Sequence, residues 1–261
     1  MIDIHCHPLP GVDDGAKTLE DAVEMCRMAA ADGTTHLVAT PHCNYEHPFR
    51  PDLNQQTLRA VQQAIGSKPQ LLLGCDFRLS YDNIRQVIDD RSSFTINRTG
   101  YVLVEFDDHF VPEHLDQVFY DLQVARLTPI LTHPERNPVL RRKPEALFRW
   151  VTRGCLVQIT AQSYTGGFGP RARELSEIWL DSNLVHFFAS DAHDTKYRPP
   201  LLSPCYRKLM EAKGQSEADR LMKLNPEAVI TGRPLPPGPE PVGPPSSKRR
   251  WFSFLGRRAL G

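Results

Sequence analysis

Residues 1–15 read Met1-Ile2-Asp3-Ile4-His5-Cys6-His7-Pro8-Leu9-Pro10-Gly11-Val12-Asp13-Asp14-Gly15. Met1 to Cys6 has the pattern of a buried strand. Residues i and i+2 of a strand point to one face, so His5 and His7 at its end can reach one ion together. Asp13 and Asp14 follow in the next loop.

Six more short apolar runs repeat this beginning: His36–Thr40, Gln70–Cys75, Tyr101–Phe106, Thr128–Thr132, Cys155–Thr160 and Val185–Ser190. Most are continuously apolar, as expected of parallel strands covered on both faces. Helical stripes lie between them. Leu19, Ala22, Val23, Cys26 and Ala29 share a face, with Thr18 as cap and Gly33 as stop. Leu58, Val61 and Ile65 form a second stripe, and Leu115, Val118, Phe119 and Leu122 a third. Leu147, Trp150 and Val151 follow, then Leu175, Ile178 and Trp179; Asn225-Pro226 opens a last short helix. Seven strand–helix units predict an α/β fold, either a closed barrel or an open doubly wound sheet. No G-x-G-x-x-G follows the first strand, which counts against a dinucleotide-binding sheet. The 261 residues suit a barrel, which typically needs about 250.

Metal-type ligands recur where the strands end. These are His5 and His7, then His42, Asp76, Glu105, His133, and finally Asp191 and His193, with Asp14 in the first loop. In a barrel those ends converge on one rim, where active sites are built. A single histidine there is ordinarily a satisfied polar residue, and Asp-Asp-Gly alone is a common turn. The weight lies in the joint pattern, because six of the seven runs end in a candidate ligand. His36 and His186 open their runs at the opposite rim and read as structural; His47, His109 and His114 are loop residues without an assigned role.

Four carboxylates and five imidazoles are too many for one ion and suit two or three. Without thiolates, the set matches borderline and hard divalent ions such as zinc, manganese or iron. Arg136 and Arg198, just past His133 and His193, add positive charge at the same rim. Such a site suits a phosphate monoester dianion, with metals to clamp the oxygens and arginine forks beside them. No P-loop and no G-x-S-x-G occur. Tyr45, Phe49, Tyr164, Phe168 and Tyr197 lie in loops after strands. They either contact an aromatic ester or simply pack the loops.

The composition, 40% hydrophobic and 24% charged, is that of a globular chain. Acids and bases balance at 31 each, which gives no case for a nucleic-acid binder. The six cysteines form no C-x-x-C pair, so a reducing cytoplasm is expected; the opening residues have no signal-peptide pattern. The balance hides an asymmetry. Residues 246–261 hold five bases and no acid, leaving 26 bases against 31 acids elsewhere, a net of −5. Residues 234–245 contain seven prolines in twelve positions and predict an extended linker. The expected division is therefore a folded domain at 1–232, a Pro-rich linker at 233–245 and a basic, aromatic tail at 246–261. That tail, with Trp251, Phe252 and Phe254, reads as a peripheral anchor for an anionic membrane or as a solvated, disordered terminus. The chain carries no signal for an oligomeric state.

The stretch from Asp3 to Gly15 resembles the first motif of the polymerase-and-histidinol-phosphatase (PHP) superfamily. It is most similar to the branch of bacterial protein-tyrosine phosphatases from capsule and exopolysaccharide loci, the CpsB/CapC type. Thr40-Pro41-His42, Thr132-His133-Pro134-Glu135-Arg136-Asn137 and Ala189-Ser190-Asp191-Ala192-His193 resemble the later motifs, in order, to about residue 232. The resemblance implies a distorted (β/α)7 barrel of TIM-like form, holding three metals, usually manganese. It implies one ion on His5, His7, Asp76 and Asp191, a second on Asp76, Glu105 and His133, and a third on Asp14, His42 and His193. Arg136 and Arg198 would engage the phosphate, and metal-activated hydroxide, not a cysteine, would attack phosphorus. The implied substrate is phosphotyrosine on a bacterial tyrosine kinase that controls polysaccharide export. Alternatives are another PHP phosphoesterase, such as a histidinol-phosphate phosphatase, or a weakly catalytic metal-binding scaffold at the membrane. Asp76 departs from the family, which usually has Glu there; Asp is one methylene shorter and must bridge two ions with less reach.

Overall fold

The computed structural model describes residues 1–107, 111–112, 115–143 and 145–243. The basic tail, His109 and His114 lie outside them. Parallel strands and helices alternate: β1 (Ile2–Cys6), α1 (Leu19–Ala31), β2 (His36–Ala39), β3 (His42–Cys43), α2 (Pro51–Ile65), β4 (Gln70–Leu73), β5 (Asp76–Arg78), α3 (Tyr81–Asp89), α4 (Arg91–Phe94) and β6 (Tyr101–Glu105). Then come α5 (Leu115–Val124), β7 (Thr128–Thr132), α6 (Ala146–Val151), β8 (Leu156–Thr160), α7 (Ala161–Thr165), α8 (Gly169–Asp181), β9 (Phe187–Ala189), α9 (Ser203–Lys213), α10 (Gln215–Asp219) and α11 (Asn225–Thr231).

Two of the seven expected runs, His36–Thr40 and Gln70–Cys75, are each followed at once by a second short strand, β3 and β5. Pro41, which has no N–H to donate, separates β2 from β3. Gly74 separates β4 from β5, where an added Cβ would lie 3.1–3.3 Å from Val38, Thr40 and Ile96. The ladder nonetheless carries across both breaks, with Gly74 N–H donating to Ala39 O and Asp76 N–H to Pro41 O. One sheet runs β1-β2-β4 and the other β3-β5-β6-β7-β8-β9. They close at the last seam, where Asp191 N–H donates to His5 O at 2.8 Å and His7 N–H to Ala192 O at 2.9 Å. The result is a distorted barrel with seven strand positions, and not the open sheet that the pattern also allowed.

Local chemistry accounts for the helices. Thr18 forms a reciprocal capping box with Asp21, and α1 buries Ala22, Met25, Cys26 and Ala29 against Leu58 and Val61 of α2. Leu19, expected on that face, is instead exposed. Helices α3 and α9 were not legible as stripes: α3 buries only Asn83 and Val87, and α9 only Cys205 and Leu209. At the N-terminal end of the barrel, Val229 and Ile230 of α11 pack with Ile2, Ile4, Leu103, Ile130 and Phe187. Gly232, at φ +70°, ends that helix. Residues 233–243 then lie against the body. Tyr101 Oη donates to Arg233 O, Asn183 Nδ2 to Glu240 O, and Val242 N–H to Ser182 O. Fixed proline φ angles lower the entropy cost of holding such an extended segment in place.

His186 sits at the far end from the ligand-bearing rim. Its Nδ1 accepts Val157 N–H at 3.1 Å. Burial, aided by Arg220, pushes its pKa down to about 4. The unfolded chain then binds the extra proton between about pH 6.5 and 4, so this stabilisation is full above pH 6.5 and is lost as pH falls toward 4. His186 is half-buried, and the expected size is about 1–3 kcal/mol. His186→Asn, which retains an acceptor without a titrating proton, should flatten the fall of melting temperature between pH 7 and 4. Equal slopes in the two proteins would count against this assignment.

Candidate metal centre

The C-terminal ends of the strands place all nine expected ligands around one point. His5 Nε2 and His7 Nε2 are 3.2 Å apart. His5 Nε2 lies 3.5 Å from Asp76 Oδ2 and 3.4 Å from Asp191 Oδ1. His42 stands between Asp14 and Asp76, each at 3.4 Å, with Glu105 at 3.8 Å. His193 Nε2 is 3.4 Å from Asp14, and His133 Nε2 is 3.6 Å from Glu105. A cleft of about 380 Å³ opens over them, with Arg136 and Arg198 on its wall.

Among the described residues, four groups have donor atoms within 4.8 Å of one another: His7, Asp14, His42 and His193; His5, His7 and Asp76; His5, His133 and Asp191; and His42, Asp76 and Glu105. This partition differs in detail from the one the resemblance implies. His7 joins the Asp14 group, and His133 stands with His5 and Asp191. Asp76, despite its shorter side chain, reaches two groups. Thr132 Oγ1 donates to its Oδ1 at 3.2 Å and leaves Oδ2 directed at the histidines.

The donor set fits divalent cations. Asp76 Oδ2, Asp191 Oδ1 and His42 Nδ1 are buried and have no hydrogen-bond partner, an arrangement that costs free energy unless a cation compensates it. Three histidines direct Nδ1 outward to an oxygen: His5 to Gln158 Oε1 at 3.0 Å, His7 to Asp13 Oδ2 at 2.7 Å and His193 to Asp191 O at 3.0 Å. With Nδ1 as donor, each Nε2 presents its lone pair to the centre. Burial by itself would lower the pKa of His5, yet Asp76 and Asp191 raise it to about 9, so the field at this point favours positive charge. Burial and the neighbouring Asp76 push Glu105 up to about 7, as expected where carboxylates crowd without compensating charge. His133 and Asp191 both hold positive φ, at 34° and 50°, a backbone strain typical of functional positions.

Arg136 Nη2 and Arg198 Nη2 lie 2.5 and 2.7 Å from Asp191 Oδ2. Phe168 packs under both guanidiniums, at 4.7 and 5.9 Å from its ring centre. The other aromatics divide. Tyr45 and Tyr197 are exposed, whereas Phe49 packs on Phe94; Tyr164 lies in helix α7, not in a loop as expected, and is buried against Phe188.

Sequence reading missed the residues that orient the ligands. Gln158, in β8, belongs to the one of the seven runs that ends without a candidate ligand, and has no motif to mark it. Asp13 was legible only as part of a turn. Its carboxylate accepts from His7 and from the N–H groups of Gly15 and His42, and it is held well below the usual carboxylate range because His7 outweighs its burial. Asp13→Ala should weaken metal affinity about 10–100-fold, read as a shift in the metal concentration that gives half-maximal activity. An unchanged midpoint would limit Asp13 to its turn.

Residues 1–231 match the family described as capsular polysaccharide synthesis, CpsB/CapC. The tyrosine-protein phosphatase YwqE of Bacillus subtilis is 35% identical over 262 residues, covering 98% of this chain and 100% of the relative. The chain belongs to the CpsB/CapC family. CpsB of Streptococcus agalactiae, also named a tyrosine-protein phosphatase, is 27% identical, covering 88% of this chain and 98% of the relative. A solved structure from work on YwqE and Streptococcus pneumoniae CpsB, described there as metal-dependent tyrosine phosphatases, matches with TM-score 0.84 and 33% identity. It covers 93% of this chain and 99% of the other. A phosphotriesterase homology protein of Escherichia coli shares the fold alone, at TM-score 0.56 and 10% identity over 88% of this chain and 96% of the other. The CpsB/CapC match covers every ligand described above.

Proposed function

We propose that this chain is a metal-dependent protein-tyrosine phosphatase of capsule or exopolysaccharide synthesis, acting on a phosphotyrosine of a bacterial tyrosine kinase. The observation that carries the reading is the nine-ligand cluster, six members of which, Asp14, His42, Glu105, His133, Asp191 and His193, line a cleft walled by two arginines. Bound divalent ions supply Lewis acidity for the phosphoryl oxygens and an activated water at neutral pH. His5, His7, Asp76, Asp191, Asp14, His42, His193, Glu105 and His133 would hold them. Arg136 and Arg198 face the same space and can turn from Asp191 to the oxygens of a phosphate dianion. Phe168 holds their planes and presents an aromatic surface beside the phosphate position. All six cysteines are buried and none lines the cleft, which argues against a cysteine nucleophile.

Imidazole and carboxylate donors support manganese as the ion, with iron or zinc as alternatives. We place the protein in the cytoplasm, at the inner face of the plasma membrane, through the basic, aromatic residues 246–261. Co-sedimentation with anionic vesicles that persists unchanged after deletion of those residues would overturn that placement. No helix among the described residues is long and apolar enough to cross a membrane.

The test of the activity is phosphate release from a phosphotyrosine peptide with added manganese, beside a phosphoserine peptide and histidinol phosphate. Chelation should abolish release and metal should restore it. The His5→Ala/His7→Ala double variant should stay inactive with metal present. Preference for histidinol phosphate would retain the metal centre and overturn the substrate.

A further inference from the structure

A second groove, of about 400 Å³, shares Asp14 and His193 with the cleft and leads away between the β1–α1 and β9–α9 loops. Ala16 and Met25 form its buried floor. Lys17 stands on one wall, Lys196 and Tyr197 on the other. Asp21 and Asp194 also line it, and each carboxylate accepts backbone N–H groups. Asp194 Oδ1 accepts the N–H groups of Lys196, Tyr197 and Arg198 at 2.6, 2.5 and 3.3 Å, and Asp21 Oδ2 accepts Thr18 N–H at 3.0 Å. The ammonium groups of Lys17 and Lys196 have no partner among the described residues.

The loop that carries Lys196 is built rather than loose. His193 and Asp194 N–H groups both donate to Arg198 O, and Gln162 Nε2 donates to Tyr197 O at 2.9 Å. One hydrogen-bonded turn therefore sets Arg198 toward the cleft and Lys196 and Tyr197 toward the groove. An extended peptide advances about 3.3 Å per residue. A phosphotyrosine seated in the cleft would thus bring a side chain one or two positions away over the groove.

We propose that this groove is a subsite for the residue flanking the phosphotyrosine and that it selects aspartate or glutamate through Lys17 and Lys196. The proposal rests on the phosphotyrosine reading of the cleft. Two exposed ammoniums pairing with one carboxylate should favour an acidic flank about three- to tenfold, and the preference should shrink as salt is raised.

The experiment compares kcat/KM of the full chain, with manganese, on phosphotyrosine peptides carrying Glu or Gln at the flanking positions and on p-nitrophenyl phosphate, which has no flank. The wild type should prefer the Glu peptide, mainly through KM. Lys17→Gln/Lys196→Gln should erase the preference and leave p-nitrophenyl phosphate within about twofold. An unchanged Glu-to-Gln ratio in the variant would sink the subsite and leave the phosphatase reading standing. The same would follow if p-nitrophenyl phosphate fell as far as the Glu peptide. Failure of the wild type to hydrolyse any of the three would overturn both.

Discussion

Asp191→Asn is expected to lower kcat on a phosphotyrosine peptide by about 10³-fold, equivalent to roughly 4 kcal/mol of barrier. Asn matches Asp in shape, so the effect isolates charge. Asp191 is buried, with both arginines on Oδ2 and His5 and His7 at 3.4 and 3.5 Å from Oδ1. Burial alone would raise its pKa; Arg136, His5 and Arg198 instead hold it well below the usual carboxylate range. Its removal takes an anionic ligand from the centre and leaves two guanidiniums without their counter-charge. Breaking a buried pair from one side costs roughly 3–5 kcal/mol, so the metal-free protein should also melt at lower temperature. The checks are kcat at saturating metal and thermal unfolding with and without chelator. A rate within tenfold of wild type would show that Asp191 is neither a required ligand nor the pivot of the arginines.

Gly15→Ala should be nearly as damaging, although it changes no ligand. A Cβ at this position would lie 2.1 Å from His7 O and 2.6 Å from His7 Cβ. The backbone there has little freedom, because His7 O also accepts Ala16 N–H and His7 N–H donates to Ala192 O. Either His7 or the loop bearing Asp13 and Asp14 must move. Overpacking of this kind typically costs about 1–3 kcal/mol, and the displacement falls on ligands whose placement within about an ångström matters. The expected result is a loss of activity of at least about 100-fold, with a weaker response to added metal. Wild-type kinetics in a folded Gly15→Ala protein would mean that the loop adjusts freely.

Much of the centre is legible in the sequence, for a local reason. On a strand, the face of His5 follows from that of His7, and the rim to which His42, Glu105 and His133 belong follows from their place at the ends of apolar runs. Parallel strand–helix units bring such ends together whatever the exact register. The helices α3 and α9 escaped because their buried residues are too few, and partly polar, to make a stripe. The breaks at Pro41 and Gly74 were visible as residues but not as breaks, because the neighbouring strand decides whether a ladder survives them.

Sequence alone thus determined the ligand types, their common rim and the seven-unit alternation, since these depend on side-chain chemistry and on periodicities of two and 3.6 residues. Tertiary structure alone decided that the sheet closes at the β1–β9 seam, which ligands group, and that Asp13 and Gln158 aim two histidines. It also decided that Asp191 holds both arginines and that Gly15 admits no side chain. Most of those features are contacts between residues far apart in the chain, fixed by barrel closure and packing; Asp13 and Gly15 are near His7 in sequence, but only the path of their loop back over the strand end brings them onto it.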